Sequence, residues 1–138
     1  MDSRSKGNWK GKIRCYRTYS GNKPHKMKAI ILAAGKSSRL YPITLKKPKC
    51  LLELEPGKTI IEYQIELLKK CGIKKFVVVV GYLKEKIKNL LRDIVEYREF
   101  LDFEKYNNLH TLYSIKEDLN DDVLILFSDV VFGERLLR

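Results

Sequence analysis

The sequence lacks any long uncharged apolar run and has few cysteines and histidines. No stretch approaches the roughly 18–20 apolar residues of a membrane-spanning helix, which argues against an integral membrane protein. Cys15, Cys50 and Cys71 are odd in number and far apart, and the two histidines, His25 and His110, are distant from each other. This spacing does not predict a zinc site. The cysteines are interpreted as reduced, mainly structural thiols of a cytoplasmic protein.

Acidic residues are nearly absent from the first 26 positions. The chain of 138 residues has 28 Lys and Arg against 17 Asp and Glu, a formal net charge of +11. Residues 1–26 contain eight of those basic side chains and one acid, Asp2, whereas residues 27–138 contain 20 basic and 16 acidic groups. Because residues 1–26 show no sustained apolar period, they are predicted to be a disordered basic extension.

The basic extension is open to several interpretations. A solvated tail without a dedicated partner is favoured over an arm that binds nucleic acid. Export is not expected, because the apolar segment of a secretory signal is missing. A transit peptide and a translation start at Met27 are the remaining alternatives.

Residues 27–138 show apolar strands that alternate with amphipathic helices. Buried strands are predicted at 28–32, 76–80 and 123–127, and a shorter extended piece at 50–54. Helices are predicted over 59–72, 83–91 and 109–119, and the ambiguous segment 93–107 is interpreted as a helix tail followed by a short strand. We therefore predict an α/β fold with a Rossmann-like, doubly wound and mostly parallel sheet.

The first of these helices has clear end signals. Thr59 with Glu62 three residues later forms a capping-box pattern at its start. Gly72 is suited to the position after its end, because glycine adopts left-handed backbone angles without strain.

Two segments follow strands at the edge where ligands bind in such sheets, namely 34–39 and Asp129. Small residues at the start of the first segment let backbone N–H groups approach an anion. Arg39 is suited to bidentate phosphate contacts, and Lys49 follows Pro48, whose ring restricts the local backbone. Taken singly, each of these residues has an ordinary interpretation. Gly35 suits a turn, Arg39 and Lys49 suit solvated surface charges, and Asp129 suits a turn after a strand.

The complete string is far more specific than its parts. It reads Leu32-Ala-Ala-Gly-Lys-Ser-Ser-Arg-Leu-Tyr-Pro-Ile-Thr44 and continues to Lys47-Pro-Lys-Cys-Leu-Leu52. It resembles the signature of the nucleoside-triphosphate transferase family, which includes sugar-phosphate nucleotidyltransferases and phosphocholine cytidylyltransferases. The family pattern is L-A-A-G-x-G/S-x-R, then P-x-T, then P-K-x-L, and its second loop glycine is Ser37 here.

The resemblance covers about residues 27–138. It continues through 57–61, 80–82 and 107–108 and ends at Leu126-Phe-Ser-Asp129. Within the family, the segment 106–114 is similar to the corresponding segment of the cytidylyltransferase branches that use phosphocholine or inositol phosphate.

The resemblance implies a nucleotidyltransferase that transfers a nucleoside monophosphate from a nucleoside triphosphate to a phosphorylated sugar, inositol or choline, with release of pyrophosphate. It implies catalytic roles for Arg39, on the β- and γ-phosphates, and for Lys49, on the α-phosphate. It implies that Asp129 holds Mg²⁺. The implied nucleotide-binding residues are Leu32, Ala33, Ala34, Gly35, Lys36, Ser37, Ser38, Gly81, Tyr82 and Asn108, with Ser114 as a weaker candidate.

Some of these residues have equally good structural interpretations. Tyr82 is evenly balanced between core packing and ligand contact. Asn107 and Asn108 also suit a turn or a helix cap. The aromatic residues within 97–106 are assigned to the core and not to base stacking.

The catalytic domain of the family is considerably longer than the matched segment, and its second acidic metal ligand lies downstream. We therefore expect a fragment, an interrupted reading frame, or one part of an assembly that another polypeptide completes, with self-association through an exposed strand edge. Little transferase activity is expected from this chain alone. Two alternatives remain: a nucleic-acid-binding module that uses the basic extension, and a pseudo-enzyme fragment that only binds nucleotide. The nucleotide and the acceptor stay open.

Overall fold

A computed structural model describes residues 27–120 and 122–137, so the predicted extension at 1–26 lies outside the described residues. Within these two ranges, six strands and three α-helices follow one another in chain order. The strands are β1 (Lys28–Ala33), β2 (Glu53–Glu55), β3 (Lys58–Thr59), β4 (Lys75–Val80), β5 (Glu96–Glu99) and β6 (Val123–Phe127). The helices are α1 (Ile60–Lys70), α2 (Lys84–Leu91) and α3 (Asn108–Ser114).

The main sheet has the strand order β5-β4-β1-β6, and every pairing in it is parallel. Strands β2 and β3 form a separate antiparallel pair. Strand β1 lies in the middle and is apolar on both faces, as a covered parallel strand requires. The predicted α/β, Rossmann-like parallel sheet is confirmed.

Alternate residues of β1 face two different cores. On one face, Ala29 and Ile31 pack in a core that includes α1 and α2 side chains. On the other face, Ile30 and Leu32 pack with Phe100 and with the segment around α3. The helices on both faces therefore hold β1 rigidly, and its carboxyl end is a fixed point.

The predicted end signals of α1 are confirmed. The Thr59 backbone N–H donates to a Glu62 carboxylate oxygen at 2.9 Å, and the Glu62 N–H donates to the Thr59 hydroxyl at 3.4 Å. Gly72 has φ = 88°, the left-handed conformation expected just after the helix.

Two predicted elements differ from the structure. The extended piece predicted at 50–54 is confirmed only at its end, where Glu53 and Leu54 lie in β2, whereas Lys49–Leu51 forms a 3₁₀ turn closed by the hydrogen bond from Leu52 N–H to the Lys49 carbonyl at 3.1 Å. The helix predicted at 109–119 is broken at Ile115, whose side chain is buried in the second core, and a 3₁₀ turn follows over Lys116–Asn120.

The segment 93–107 agrees in outline with its prediction of a helix tail and a short strand. A 3₁₀ turn at Arg92–Ile94 precedes β5. Phe100 is buried and Phe103 is half-buried, but Tyr106 is exposed, so the assignment of these aromatics to the core is wrong for Tyr106. Its ring stacks on His110 at 4.6 Å between centroids.

Burial also decides the chemistry of Cys50. Its side chain is enclosed by the first core, and this desolvation raises the pKa of the thiol to about 12. The thiol therefore stays protonated and has no nucleophilic role at neutral pH. None of the helices within the described ranges is long and apolar enough to cross a bilayer.

Gly81 lies where three backbone segments meet at the end of β4. A Cβ atom placed on it would lie 2.5 Å from the Phe100 carbonyl oxygen, 2.7 Å from Phe103 Cδ1 and 3.0 Å from the Ala34 carbonyl oxygen. Two of these atoms belong to backbone that is held by hydrogen bonds, Phe100 N–H to Val80 O at 2.8 Å and Tyr82 N–H to Ala34 O at 3.0 Å. Glycine is therefore required here by close packing.

We predict that Gly81→Ala lowers the free energy of unfolding by about 1–3 kcal/mol, the usual cost of overpacking. Gly35→Ala is the matched control, because a Cβ atom there meets nothing within 4 Å. Urea unfolding followed by circular dichroism measures both. Equal stability of the two variants would contradict the packing role.

Candidate active site at the carboxyl edge of the sheet

The strand order reverses between β1 and β6. From β1 the chain continues to β4 and β5 on one side, whereas β6 pairs with the other side of β1. Ligands of open parallel sheets bind at such a reversal, outside the carboxyl ends of the strands. The segment after β1, residues 34–39, and the segment after β6, residues 128–130, therefore form the candidate site.

Lys49 and Asp129 meet at this edge. Lys49 Nζ lies 2.8 Å from Asp129 Oδ2, although the residues are 80 positions apart. Their side chains keep 32% and 41% of their surface exposed, so the pair contributes less than about 1 kcal/mol to stability. Both groups can therefore exchange their contact for a ligand at little cost.

Gln64 of α1 holds the backbone around Asp129 through two hydrogen bonds. The fully buried Gln64 amide donates from Nε2 to the Phe127 carbonyl at 2.9 Å and to the Val130 carbonyl at 2.7 Å. Its oxygen Oε1 has no hydrogen-bond partner. The two bonds span Asp129 and fix the turn that presents its carboxylate.

Sequence reasoning missed Gln64, although one signal was available. The apolar positions of α1 include Ile61, Ile65 and Leu68, and Gln64 lies on the same face. A polar residue on the buried face of a helix indicates a specific hydrogen bond in the core.

The loop after β1 turns sharply at Ser37. Ser37 has φ = 52°, a left-handed conformation that a residue other than glycine adopts at a cost of order 1 kcal/mol. This angle explains why the family pattern has glycine at this position. A 3₁₀ turn, Ser38–Leu40, follows at once, and Leu40 N–H donates to the Ser37 carbonyl at 3.1 Å.

Thr44 holds the strained residue in place. Its side chain is fully buried, and its hydroxyl donates to the Ser37 carbonyl at 2.8 Å. Sequence reasoning placed Thr44 in the family string but assigned it no role. The hydrogen bond offsets part of the strain at Ser37, so Thr44 positions the loop.

Tyr82 connects this loop to the end of β4. Its hydroxyl lies 2.8 Å from the Thr44 carbonyl and 3.0 Å from the Leu45 carbonyl, and its backbone N–H donates to Ala34 O. Desolvation raises the pKa of the phenol, which therefore stays a donor. The ring also packs edge-on against Phe103 at 6.1 Å. Tyr82 thus has a structural role, and its contact with a ligand stays a prediction.

The basic side chains of the loop differ in their surroundings. Lys36 Nζ lies 3.0 Å from a Glu104 carboxylate oxygen, and this hydrogen bond raises the pKa of Lys36. Arg39 is exposed in the middle of the 3₁₀ turn Ser38–Leu40, and no ion pair joins it to another described residue. Arg39 therefore has its guanidinium available for an anionic ligand.

The remaining predicted site residues fall into two groups. Leu32, Ala33 and Ala34 are buried, so only their backbone is suited to ligand contact. Asn108 begins α3, while Asn107 caps that helix by accepting from Leu109 N–H at 3.1 Å. Among the contacts of the described residues, none joins Asn108 or Ser114 to the loop at 34–39.

Asp129 is the carboxylate that meets Lys49 at this edge and could bind a metal ion. No group of three or more His, Cys, Asp or Glu within the described ranges is arranged to hold a metal ion. Mg²⁺ often binds one or two carboxylates and takes its other oxygens from substrate phosphates and water. Asp129 therefore fits as one ligand of an Mg²⁺ ion that accompanies a nucleotide.

The chain is similar to known proteins over most of its length. The family model for nucleotidyl transferases matches residues 28–138. The chain is 43% identical over 107 residues to choline-phosphate cytidylyltransferase of Streptococcus pneumoniae and 40% identical over 114 residues to CTP:phosphoglutamine cytidylyltransferase of Campylobacter jejuni. A solved structure of CTP:phosphocholine cytidylyltransferase from S. pneumoniae superposes with a TM-score of 0.72 at 40% identity.

These matches cover most of this chain but only part of each relative. Each of the two sequence matches covers 77% of this chain, and they cover 46% and 45% of the S. pneumoniae and C. jejuni proteins. The structural match covers 79% of this chain and 48% of the solved one. The chain thus spans about half the length of the relatives it matches.

We predict that Thr44→Val loosens the loop around Ser37, because valine keeps the shape of threonine but donates no hydrogen bond. Losing a hydrogen bond worth about 0.5–1.5 kcal/mol should lower the hydrogen-exchange protection of the Leu40 amide about two- to tenfold. Thr44→Ser keeps the hydroxyl and should retain the protection of that amide. Unchanged protection in the valine variant would contradict the positioning role.

Proposed function

The chain belongs to the nucleotidyl transferase family, and we propose that its carboxyl-edge site binds a nucleoside triphosphate for transfer of the nucleoside monophosphate to a phosphorylated acceptor. The observation that carries this proposal is the meeting of Lys49 and Asp129, 2.8 Å apart, beside a tight loop at the reversal of strand order. The Lys49 ammonium group, which suits a phosphate, therefore lies next to the Asp129 carboxylate, which suits a metal ion.

The reaction is an in-line substitution at phosphorus. An oxygen of the acceptor's phosphate attacks the α-phosphorus of the triphosphate, one phosphoanhydride bond forms, and the bond to the leaving pyrophosphate breaks. The protein needs to position the two phosphates and to neutralise their charge. No covalent intermediate on the protein is required.

The described residues have distinct roles in this scheme. Backbone N–H groups of residues 34–38 cradle the triphosphate. Arg39 offsets the charge of the leaving β- and γ-phosphates, and Lys49 stabilises the α-phosphate as its charge redistributes. Mg²⁺ supplies Lewis-acid polarisation and charge neutralisation when it is bound, and Asp129 is its proposed protein ligand.

The names of the relatives favour one nucleotide. Two similar proteins are a CTP:phosphoglutamine cytidylyltransferase and a choline-phosphate cytidylyltransferase, and a solved relative is an inositol-1-phosphate CTP transferase from T. maritima with a TM-score of 0.62. We therefore propose CTP as the nucleotide and a small phosphorylated acceptor as the second substrate. We place the reaction in the cytoplasm, where nucleoside triphosphates are available.

Complete turnover is proposed to need more than this chain. The relatives have about as much chain again beyond the matched half. We propose that the matched segment by itself has little or no transferase activity.

We predict that CTP with Mg²⁺ raises the melting temperature of the chain more than UTP, GTP or ATP does. Ligand present at about 100 times its Kd stabilises a folded protein by about 2.7 kcal/mol. Lys49→Ala and Asp129→Ala should each weaken Mg²⁺-dependent CTP binding at least about tenfold, because each removes a charge that meets the ligand. Their effect on the melting temperature without ligand should be small, since the pair is exposed.

Lys74→Ala and Asp93→Ala are the matched controls for this experiment. Both residues are exposed and outside the candidate site, and Lys74 directly precedes β4 at the opposite edge of the sheet. Wild-type CTP affinity is expected for both. A melting temperature that no nucleotide changes, or CTP binding that Lys49→Ala and Asp129→Ala leave intact, would refute the proposed site. Steeply salt-dependent binding of an oligonucleotide, lost on deletion of residues 1–26, would support the nucleic-acid alternative.

A further inference from the structure

Asp129 lies in a tight turn that directly follows β6. The strand ends at Phe127, and the Val130 N–H donates back to the Phe127 carbonyl at 3.2 Å, which closes a four-residue turn over 127–130. Asp129 is the third residue of this turn, and among the described residues its carboxylate forms an ion pair with Lys49. The direction of the carboxylate therefore depends on that contact and on the backbone of the turn.

Gln64 holds both ends of this turn with a single amide group. Its Nε2 donates to the carbonyls of Phe127 and Val130, which are the first and the last residues of the turn. A primary amide has two N–H donors, and both are used here. Glutamate has about the same length but lacks these donors at neutral pH, and asparagine is one methylene shorter. The residue type and its length are therefore both matched to the turn.

The same amide group has a cost in the core. Gln64 is fully buried on the face of α1 that also buries Ile61 and Leu68, and its Oε1 has no hydrogen-bond partner among the described residues. A buried acceptor without a partner destabilises the folded state, and such groups are exceptions in native proteins. Stability alone therefore does not account for glutamine at this position, whereas the contact of its N–H groups with the Asp129 turn does.

Helix α1 supports Lys49 as well as Asp129. The Ile60 N–H at the start of the helix donates to the Leu52 carbonyl at 3.0 Å, and Lys49 lies three residues before Leu52. The two residues between them are buried in the first core together with α1 side chains. One rigid helix thus contacts the segments that carry both charged groups, at its first turn for Lys49 and through Gln64 for Asp129.

We propose that Gln64 is a positioning residue of the site, whose amide fixes the Asp129 turn so that the carboxylate meets Lys49 and a Mg²⁺-bound nucleotide in one arrangement. Because Gln64 is fully buried, it acts through the turn and does not touch the ligand itself. Groups that orient a metal ligand through hydrogen bonds tune the affinity of a site in this way. The role of Asp129 as a metal ligand rests on the proposed function, whereas the hold of Gln64 on the turn does not.

Gln64→Met tests this role, because methionine has about the same length and donates no hydrogen bond. Circular dichroism should show a folded variant, since the unpaired oxygen is lost together with the amide. Without nucleotide, its Val130 amide should exchange about tenfold faster than in the wild type. Mg²⁺-dependent binding of CTP should weaken about tenfold or more, as is usual when a group that orients a metal ligand is removed. Binding of CTP without Mg²⁺ should stay within about twofold of the wild type.

Tyr63→Phe is the matched control. The Tyr63 hydroxyl donates to the Phe132 carbonyl at 3.2 Å, two residues beyond the turn, so this variant also loses a hydrogen bond from α1 to the segment after β6. Wild-type exchange of the Val130 amide and wild-type CTP affinity are expected for it. Gln64→Asn is a second test that serves if methionine prevents folding. It keeps the amide but is too short to reach both carbonyls, and it should behave like Gln64→Met.

A double-mutant cycle separates positioning from general support of the fold. If Gln64 acts through Asp129, Gln64→Met should change the CTP affinity of the Asp129→Ala variant by less than about twofold. The inference is overturned by an unchanged Val130 exchange rate in Gln64→Met, by unchanged Mg²⁺-dependent CTP affinity, or by the full loss of affinity persisting in the Asp129→Ala background. If the wild-type chain binds no nucleotide, the proposed function fails, and the exchange rate of the Val130 amide decides whether Gln64 holds the turn.

Discussion

The parallel pairing of β1 with β6 places the ends of two distant segments at one edge of the sheet. The register is continuous from Lys28 with Val123 to Leu32 with Phe127, so the loop after Ala33 and the turn at Asp129 leave the sheet side by side. Both segments are held by the core, β1 through its two covered faces and the Asp129 turn through Gln64. The candidate site depends on this pairing because its two charged groups come from opposite ends of the matched segment.

The loop at this edge contains a residue in a strained backbone conformation, Ser37, and hydrogen bonds that hold it in place. Ser37 adopts a left-handed conformation, and the hydroxyl of Thr44 and the peptide of Leu40 both bond to its carbonyl. Tyr82 then bonds to the carbonyl of Thr44, which links the loop to the end of β4. Such a chain of contacts presents backbone N–H groups in one arrangement, and preorganised donors are what charge neutralisation of a triphosphate requires.

Sequence patterns predicted the elements whose signals are local. The apolar run 123–127 is β6, and the capping box of Thr59 and Glu62 begins α1. The patterns failed where burial in the tertiary structure overrides local preference. Ile115 enters the second core and ends α3 early, and Cys50 and Leu51 are buried against the first core in a 3₁₀ turn. The partners of Gln64 and Thr44 were not predictable, because they are backbone carbonyls that no side-chain motif reveals.

The sequence by itself determined the family, the parallel α/β architecture and the identity of the charged residues near the site. Those properties follow from apolar periodicity and from the long ordered string between Leu32 and Leu52. Only the tertiary structure decided that Lys49 meets Asp129 and that Gly81 is required for close packing. The physical reason is that pairing, burial and edge exposure depend on residues far apart in the chain, and no local pattern encodes their distance.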